Sequence, residues 1–291
     1  MERIRTKRFE LLRILVPIDY SDTSMFALEH ALQLASRGGA ELVVMHVMEE
    51  VMCTDGGSEN TSHATANNLR LQTLVSSLQQ RTEAHVSGLL LSGTPARKIL
   101  ETALEACADL ILIGAQGFEA KGEERLGSTA AYVARRSECP VLTVHRGFGQ
   151  QAFSGYRQIL LPIDNTPSTR LKVPYAAYLA RLCGAQLHVL GLCDQEDPIA
   201  QESMKALVRS VERFLKPYEI SYKSSMRSGT EKVQQLLAYA AEQKADLIAL
   251  MLEEDKPAEG HAISHAELVM HQSKVPVFSI GEPLVAPTLA M

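Results

Sequence analysis

The chain is poor in the features that announce a chemistry. Its five cysteines, Cys53, Cys107, Cys139, Cys183 and Cys193, are scattered and form no CxxC pair. That excludes the usual zinc spacings, and an odd count in 291 residues does not suit a secreted disulfide framework. Reduced thiols of a cytoplasmic protein are expected, with Cys107 and Cys139 as core residues beside apolar runs. No stretch approaches the roughly 18 consecutive apolar residues that span a membrane. Neither sign of charge dominates: 29 Lys+Arg against 34 Asp+Glu leave a formal charge of -5, which draws neither nucleic acid nor anionic lipid. The opening MERIRTKRFELLR is basic but lacks the apolar centre of a signal peptide, and reads as a solvated, fraying tail. A Walker A lysine, an SGGxDS loop and a nucleophile elbow are all missing. The nearest approach to a metal pattern is His261-Ala-Ile-Ser-His265, one helical turn apart with no third ligand nearby, so no metal is expected.

What is present is a repeat. Ile14-Leu-Val-Pro-Ile-Asp19 returns as Ile159-Leu-Leu-Pro-Ile-Asp164, and Gly39-Ala-Glu-Leu-Val-Val returns at Gly184, both at an offset of 145 residues. Ala108-Asp-Leu-Ile matches Ala245-Asp-Leu-Ile at 137, and Cys139-Pro-Val matches Val275-Pro-Val at 136, as if the second copy had a shorter middle. A repeat of this length is a duplicated domain. Each copy alternates short β-branched runs with longer stretches of helical period. In the first, strands are expected near 13–18, 41–47, 85–91, 109–113 and 140–145, with helices over 23–37, 62–83, 95–107 and 127–137. Phe26, His30 or Ala31, and Leu34 would share one face of the first helix, and Thr94-Pro95 would cap and open the third. Such alternation needs crossovers, hence an α/β fold with a doubly wound parallel sheet in each domain. The stretch from Arg146 to Gly155 reads as the linker, so domains are expected over 10–147 and 156–282.

In an open parallel sheet, ligands bind beyond the carboxyl ends of the strands where strand order reverses. Strand one ends in Val16-Pro-Ile-Asp19-Tyr-Ser21, strand two in His46-Val47, and strand four in Gly114-Ala-Gln-Gly117. Nine further residues separate Gly117 from Gly127-Ser128, where a helix opens and its free amides can meet an anion. Together these motifs, with the Cys-Pro-Val before the last strand, resemble the universal stress protein family, whose nucleotide signature is G-x2-G-x9-G-[S/T]. The likeness covers nearly the whole chain and is similar to the tandem members. It implies two five-stranded domains of the adenine nucleotide alpha hydrolase-like, Rossmann-like kind. It further implies that Pro17, Ile18, Asp19, Val47, Ile113, Gly114, Gln116, Gly117, Gly127, Ser128 and Thr129 hold ATP, ADP or AMP, with Mg2+ accompanying a triphosphate. Asp19 would take the ribose hydroxyls, the backbone of Val47 the adenine, and Gly127, Ser128 and Thr129 the phosphates. At Gly114 and Gly117 a Cβ is expected to collide with sugar and phosphate. Phe118 stands where many relatives have a basic residue, which shifts the expectation toward AMP or ADP; Lys121 or Arg125 would have to supply a cation.

The second copy keeps Asp164 but has Met251 and Glu254 in place of the two glycines, with Glu253, Asp255 and Glu259 around them. It is expected to be a poor phosphate site. Asp19, Ser21 and Asp22 have no histidine in sequence context and read as capping residues. The whole reads as a cytoplasmic nucleotide-binding sensor or regulator acting through unidentified partners, not an enzyme beyond slow ATP hydrolysis. An internal pseudo-dimer of the two domains is expected from their apolar last strands, with a homodimer as a further option. The alternatives are an interaction module that binds no nucleotide, or a slow hydrolase or binder of another small molecule.

Overall fold

The computed structural model of the chain describes residues 9–49, 58–117, 126–145, 153–193, 197–252 and 264–281. Apolar β-branched runs become strands and amphipathic stretches become the helices that cover them. The first domain runs β1 (Arg13–Ile18), α1 (Asp22–Gly38), β2 (Glu41–Met48), α2 (Ser58–Gln79) and β3 (Val86–Ser92). It continues through α3 (Pro95–Glu105), β4 (Leu110–Gly114), α4 (Ser128–Arg136) and β5 (Val141–Val144). The second repeats the plan with β6 (Gln158–Ile163), α5 (Val173–Cys183), β7 (Gln186–Cys193), α6 (Pro198–Leu215) and β8 (Tyr222–Ser228). It closes with α7 (Lys232–Glu242), β9 (Leu247–Leu252), α8 (His265–Gln272) and β10 (Val277–Gly281).

Each sheet is parallel. The first is ordered β3-β2-β1-β4-β5, with Leu15 of β1 between Val43 of β2 and Ile111 of β4. In the second, ordered β8-β7-β6-β9-β10, Leu160 lies between His188 and Ile248. The chain moves outward from the central strand, then returns to its other side. That reversal opens a crevice between the carboxyl ends of β1 and β4. Both faces are helix-covered, so Ile14, Leu15, Val16, Leu110, Ile111 and Leu112 are wholly buried, as a continuous apolar run in a parallel sheet requires. The repeated Ala-Asp-Leu has a structural cause. Asp109 accepts from the amides of Leu12 and Arg13 (both 3.0 Å), and Asp246 accepts from those of Arg157 (2.7 Å) and Gln158 (3.0 Å). One carboxylate thus ties the start of each central strand to its neighbour.

Several expectations are corrected. The end of the basic leader is not frayed: the Phe9 ring lies 4.5 Å from that of Tyr175 and 5.2 Å from that of Tyr178, and Leu11 is buried. The end of the linker is held too, because Phe153 stacks on His30 of α1 at 3.6 Å and Arg37 donates to the carbonyl of Ser154 at 2.7 Å. Cys107 is exposed rather than in the core. It makes the left-handed turn out of α3 (φ 50°), which sends Ala108 and Leu110 inward in its place. Cys139 is half-buried, and among the described residues Cys193 is the buried thiol. Thr94 sits at the N-cap of α3, but its hydroxyl makes no capping bond. On α1, Phe26 is only half-buried; Ala27, Leu28, His30, Ala31, Leu34 and Ala35 form the inner face.

Candidate functional site

At the reversal point the first domain holds a cavity of about 500 Å³. Strand β1 delivers Pro17 and Ile18, both buried, and then the exposed Asp19. The Asp19 carboxylate is fixed by a turn: Oδ1 accepts from the Ser21 amide at 3.0 Å and the Ser21 hydroxyl at 2.5 Å. Ser21, not Asp19, caps α1 by accepting from the Ser24 amide. Tyr20 between them is left-handed (φ 63°), a costly conformation for a bulky residue. Its ring lies 5.0 Å from that of His46, and the Arg70 guanidinium covers it at 3.6 Å. Burial pushes its hydroxyl above the usual tyrosine range, with Arg70 opposing. His46 Nδ1 donates to the Ile18 carbonyl at 2.8 Å, locking the end of β2 to that of β1.

Strand β4 leads to Gly114, Ala115, Gln116 and Gly117. The two glycines answer different demands. A Cβ on Gly114 would lie 2.7 Å from the Ser24 amide nitrogen and 2.8 Å from the Thr23 carbonyl carbon. Those are backbone atoms of α1 and cannot yield, so the close approach that requires glycine at 114 is to the helix rather than to a ligand. Thr23 reinforces the contact by donating its hydroxyl to the Gln116 carbonyl. A Cβ on Gly117 would meet only the Asp19 Oδ2, at 3.2 Å, a side-chain atom at the cavity and not helix backbone. Gly127 is the N-cap of α4, extended (ψ 155°) and bringing no side-chain cap. The first-turn amides of α4, at Ser128, Thr129 and Ala130 beside the cavity, therefore have no side-chain cap among the described residues and carry the positive end of the helix dipole.

All eleven residues expected to hold a nucleotide line this one cavity, from Pro17 and Ile18 through Asp19, Val47, Ile113, Gly114, Gln116 and Gly117 to Gly127, Ser128 and Thr129. Ser24, Glu49, Pro95, Ile99, Ala115 and Ala130 line it as well and were not foreseen. Glu49 could have been found two residues beyond Val47, and Ile99 from its one-turn spacing to Pro95. Phe118, Lys121 and Arg125 lie outside the described residues, as do Glu253, Glu254, Asp255, Glu259 and His261.

The corresponding region of the second domain is built otherwise. Asp164 keeps the turn, accepting from the Thr166 amide (3.0 Å) and hydroxyl (2.5 Å). At the place of Gly114 stands the buried Met251. The chain makes a 3-10 turn (Pro167–Arg170) where α1 would already be helical, and α5 begins only at Val173. Lys172, at the N-cap of α5, is buried, 2% exposed. Burial alone would raise the Asp164 carboxyl, but the Lys172 ammonium and the hydrogen bonds of Thr166 and Thr169 hold it below the usual range. Helix α8 is closed by a capping box: Ser264 accepts from the Glu267 amide at 3.2 Å and donates its own amide to the Glu267 carboxylate at 3.4 Å. In the first domain the same two places are Gly127 and Ala130. The anion-seeking helix start of domain one is thus answered in domain two by the chain's own buried carboxylate.

Comparison with known proteins agrees with this plan. The profile of the Universal stress protein family matches residues 11–145 and again 155–280. A universal stress protein of Bacillus subtilis is 33% identical over 144 residues, covering 45% of this chain and 97% of its own. One from Thermus aquaticus is 34% identical over 136 residues, covering 45% of this chain and 96% of its own. Among solved structures, a universal stress protein from Archaeoglobus fulgidus is similar in fold, with a TM-score of 0.73 at 20% identity, covering 94% of this chain and 97% of that one.

Proposed function

The chain belongs to the universal stress protein family, and from that membership we propose that its first domain binds one adenine nucleotide while its second binds none. The observation that carries the proposal is the cavity at the reversal point. It joins an apolar wall (Ile18, Val47, Pro95, Ile99), a fixed carboxylate (Asp19) and an uncapped helix start (Gly127 to Thr129). A purine suits the first, ribose hydroxyls the second and a phosphate the third. Asp19, whose carboxylate is held in place by Ser21, accepts the ribose hydroxyls. A triphosphate brings Mg2+ to offset its charge, because the ionisable side chains among the described lining residues, Asp19 and Glu49, are both acidic. The same lining offers neither histidine, lysine nor cysteine, which favours retention of the nucleotide over its turnover and a regulator acting through protein partners. Among the described residues no helix is long and apolar enough to cross a membrane.

Calorimetric titration of the full chain with AMP, ADP and ATP is the test. One site per chain is expected, lost on Gly117→Val while circular dichroism stays unchanged. Two sites, or binding that survives Gly117→Val, would refute it.

A further inference from the structure

Helix α6 of the second domain carries a charged face that the fold itself does not use. Its apolar side chains Met204, Val208, Val211 and Leu215 are buried where the helix packs on β7 and β8. Lys205, Arg209, Arg213 and Lys216 recur at spacings of four, four and three, turned away from that side and exposed. Lys205 pairs with Glu202 at 3.2 Å. Among the described residues Arg209, Arg213 and Lys216 make no ion pair, and they line a surface groove of about 500 Å³ with Ala206 and Glu212. Glu212 is held in place by accepting from the Ser224 hydroxyl of β8.

Cations near a helix C-terminus ordinarily offset its dipole, which accounts for Arg213 in the last turn and Lys216 at the C-cap. It does not account for Lys205 and Arg209, because the effect falls off within that turn. The matching helix of the first domain, α2, holds a single arginine, Arg70, and no lysine; that arginine covers Tyr20. The basic face therefore belongs to the domain that lacks the two glycines.

We propose that this face of α6 is a docking surface for an acidic segment of a partner protein, its carboxylates spaced about one helical turn apart. The four cations span only about 16 Å along the helix, which suits a short segment. A formal charge of -5 on the whole chain opposes a long polyanion or a charged surface, while a short segment meets the local field alone. The apolar side of α6 is committed to the core, so the helix cannot lie in a bilayer. Glu212 in the groove repels a row of phosphates, yet it can accept from the N–H groups that a peptide also brings.

Fluorescence anisotropy on the full chain is the test. The probe is a labelled alanine-based peptide of about 16 residues with a glutamate once per turn, and its control has glutamine instead. The glutamate peptide is expected to bind about tenfold more tightly or better, with affinity falling as salt is added. Arg209→Glu with Arg213→Glu should weaken it by about tenfold or more and bind the lysine version of the peptide instead. Arg181→Glu with Lys274→Glu makes the same change in net charge at other exposed positions and should shift affinity by under about threefold. Circular dichroism checks folding, and the comparison of peptides on the wild type decides the matter if a variant fails to fold. Equal binding of glutamate and glutamine peptides by the wild type, or equal losses in the two double variants, would overturn the proposal. Tighter binding of a single-stranded oligonucleotide or of anionic vesicles through the same two arginines would overturn it too, in favour of a nucleic acid or a membrane.

Discussion

The two domains end their central strands alike and begin their next helices differently. After β1, the Asp19 turn runs straight into α1, whose first turn rests on Gly114. After β6, the same turn at Asp164 is followed by a 3-10 segment, a buried lysine and a late helix, above a buried methionine. At the far side of the cleft, α4 starts open and α8 starts closed by its own Glu267. The carboxylate turn is therefore scaffolding common to both domains. What distinguishes the two domains here is how the two facing helix starts are finished. On the proposed nucleotide reading, the methionine, the lysine and the capping glutamate are mutually consistent: each stands in for something a ligand would supply or need.

The sharpest way to break this comparison is to put the second domain's residue into the first. Gly114→Met sets a Cβ within 3 Å of three α1 atoms, two of them backbone, so α1 must move. A loss of about 3 kcal/mol or more in the first domain is expected, with loss of nucleotide binding. Gly117→Ala meets only the Asp19 oxygen at 3.2 Å and should change stability by under about 1 kcal/mol. Urea unfolding of the two variants checks this. Equal stabilities would mean that Gly114 is not a packing residue.

Most of the fold could be read from the sequence because its signals are local. Apolar runs placed β1 and β4 to within a residue, and the repeated Ile-Leu-x-Pro-Ile-Asp and Ala-Asp-Leu motifs recur at β6 and β9. Helix α2 was placed about four residues late at both ends, since its polar, weakly periodic sequence gives no clear edge. The cavity was legible through glycine spacing, yet the reason for Gly114 was not. Its partner atoms belong to Thr23 and Ser24, some 90 residues earlier, and spacing says nothing of a contact at that range. The Ser264-x-x-Glu267 capping box has a sequence signature, a serine three residues before a glutamate at a helix start. Lys172 was not readable, because lysine is seldom buried and only the fold shows what surrounds it.

Lys172→Met removes the cation that offsets the burial of Asp164. Breaking a buried pair from one side should cost the second domain about 2–3 kcal/mol near neutral pH. The sign with pH is fixed. In the wild type Asp164 titrates below its unfolded value, so its contribution is present above about pH 4 and lost in stronger acid. Without Lys172, burial pushes the carboxyl up and protonation relieves the strain, so the difference between variant and wild type should shrink from pH 7 to pH 4. A difference that stays constant would remove Lys172 from the argument.

A smaller contrast lies in the sheets. His188 of β7 is fully buried, its Nε2 donating to Gln158 at 2.5 Å, and burial with the nearby Lys223 lowers its pKa from 6.5 to about 4. The first domain has Val43 at that register position. Unfolding binds a proton that the native ring refuses, so His188 should weaken the second domain as pH falls from 6.5 to about 4, by at most about 3 kcal/mol. Segment-resolved hydrogen exchange across that range should show β7 losing protection and β2 not. His188→Val should abolish the difference.

The smallest effect tests the claim that Glu267 stands in for a ligand. Glu267→Ala removes half of a capping box and should cost about 1 kcal/mol, far less than losing Lys172. Its consequence for binding carries more weight than its cost, because it restores the residue type that Ala130 supplies in the first domain. The α8 amides are then uncapped on one side, but Met251 still stands at the place of Gly114 and Lys172 is still buried at the head of α5. Glu267→Ala alone should therefore leave the stoichiometry of AMP at one per chain. Combined with Met251→Gly, it should permit weak, millimolar occupancy at a second site, equivalent to only about −4 kcal/mol. Titration with the first site disabled by Gly117→Val separates the outcomes. Binding by the single variant would mean that the capping carboxylate was the whole barrier. No binding by a folded double variant would mean that the late start of α5 and Lys172 close the cleft by themselves, and that the domain's divergence is deeper than its helix starts.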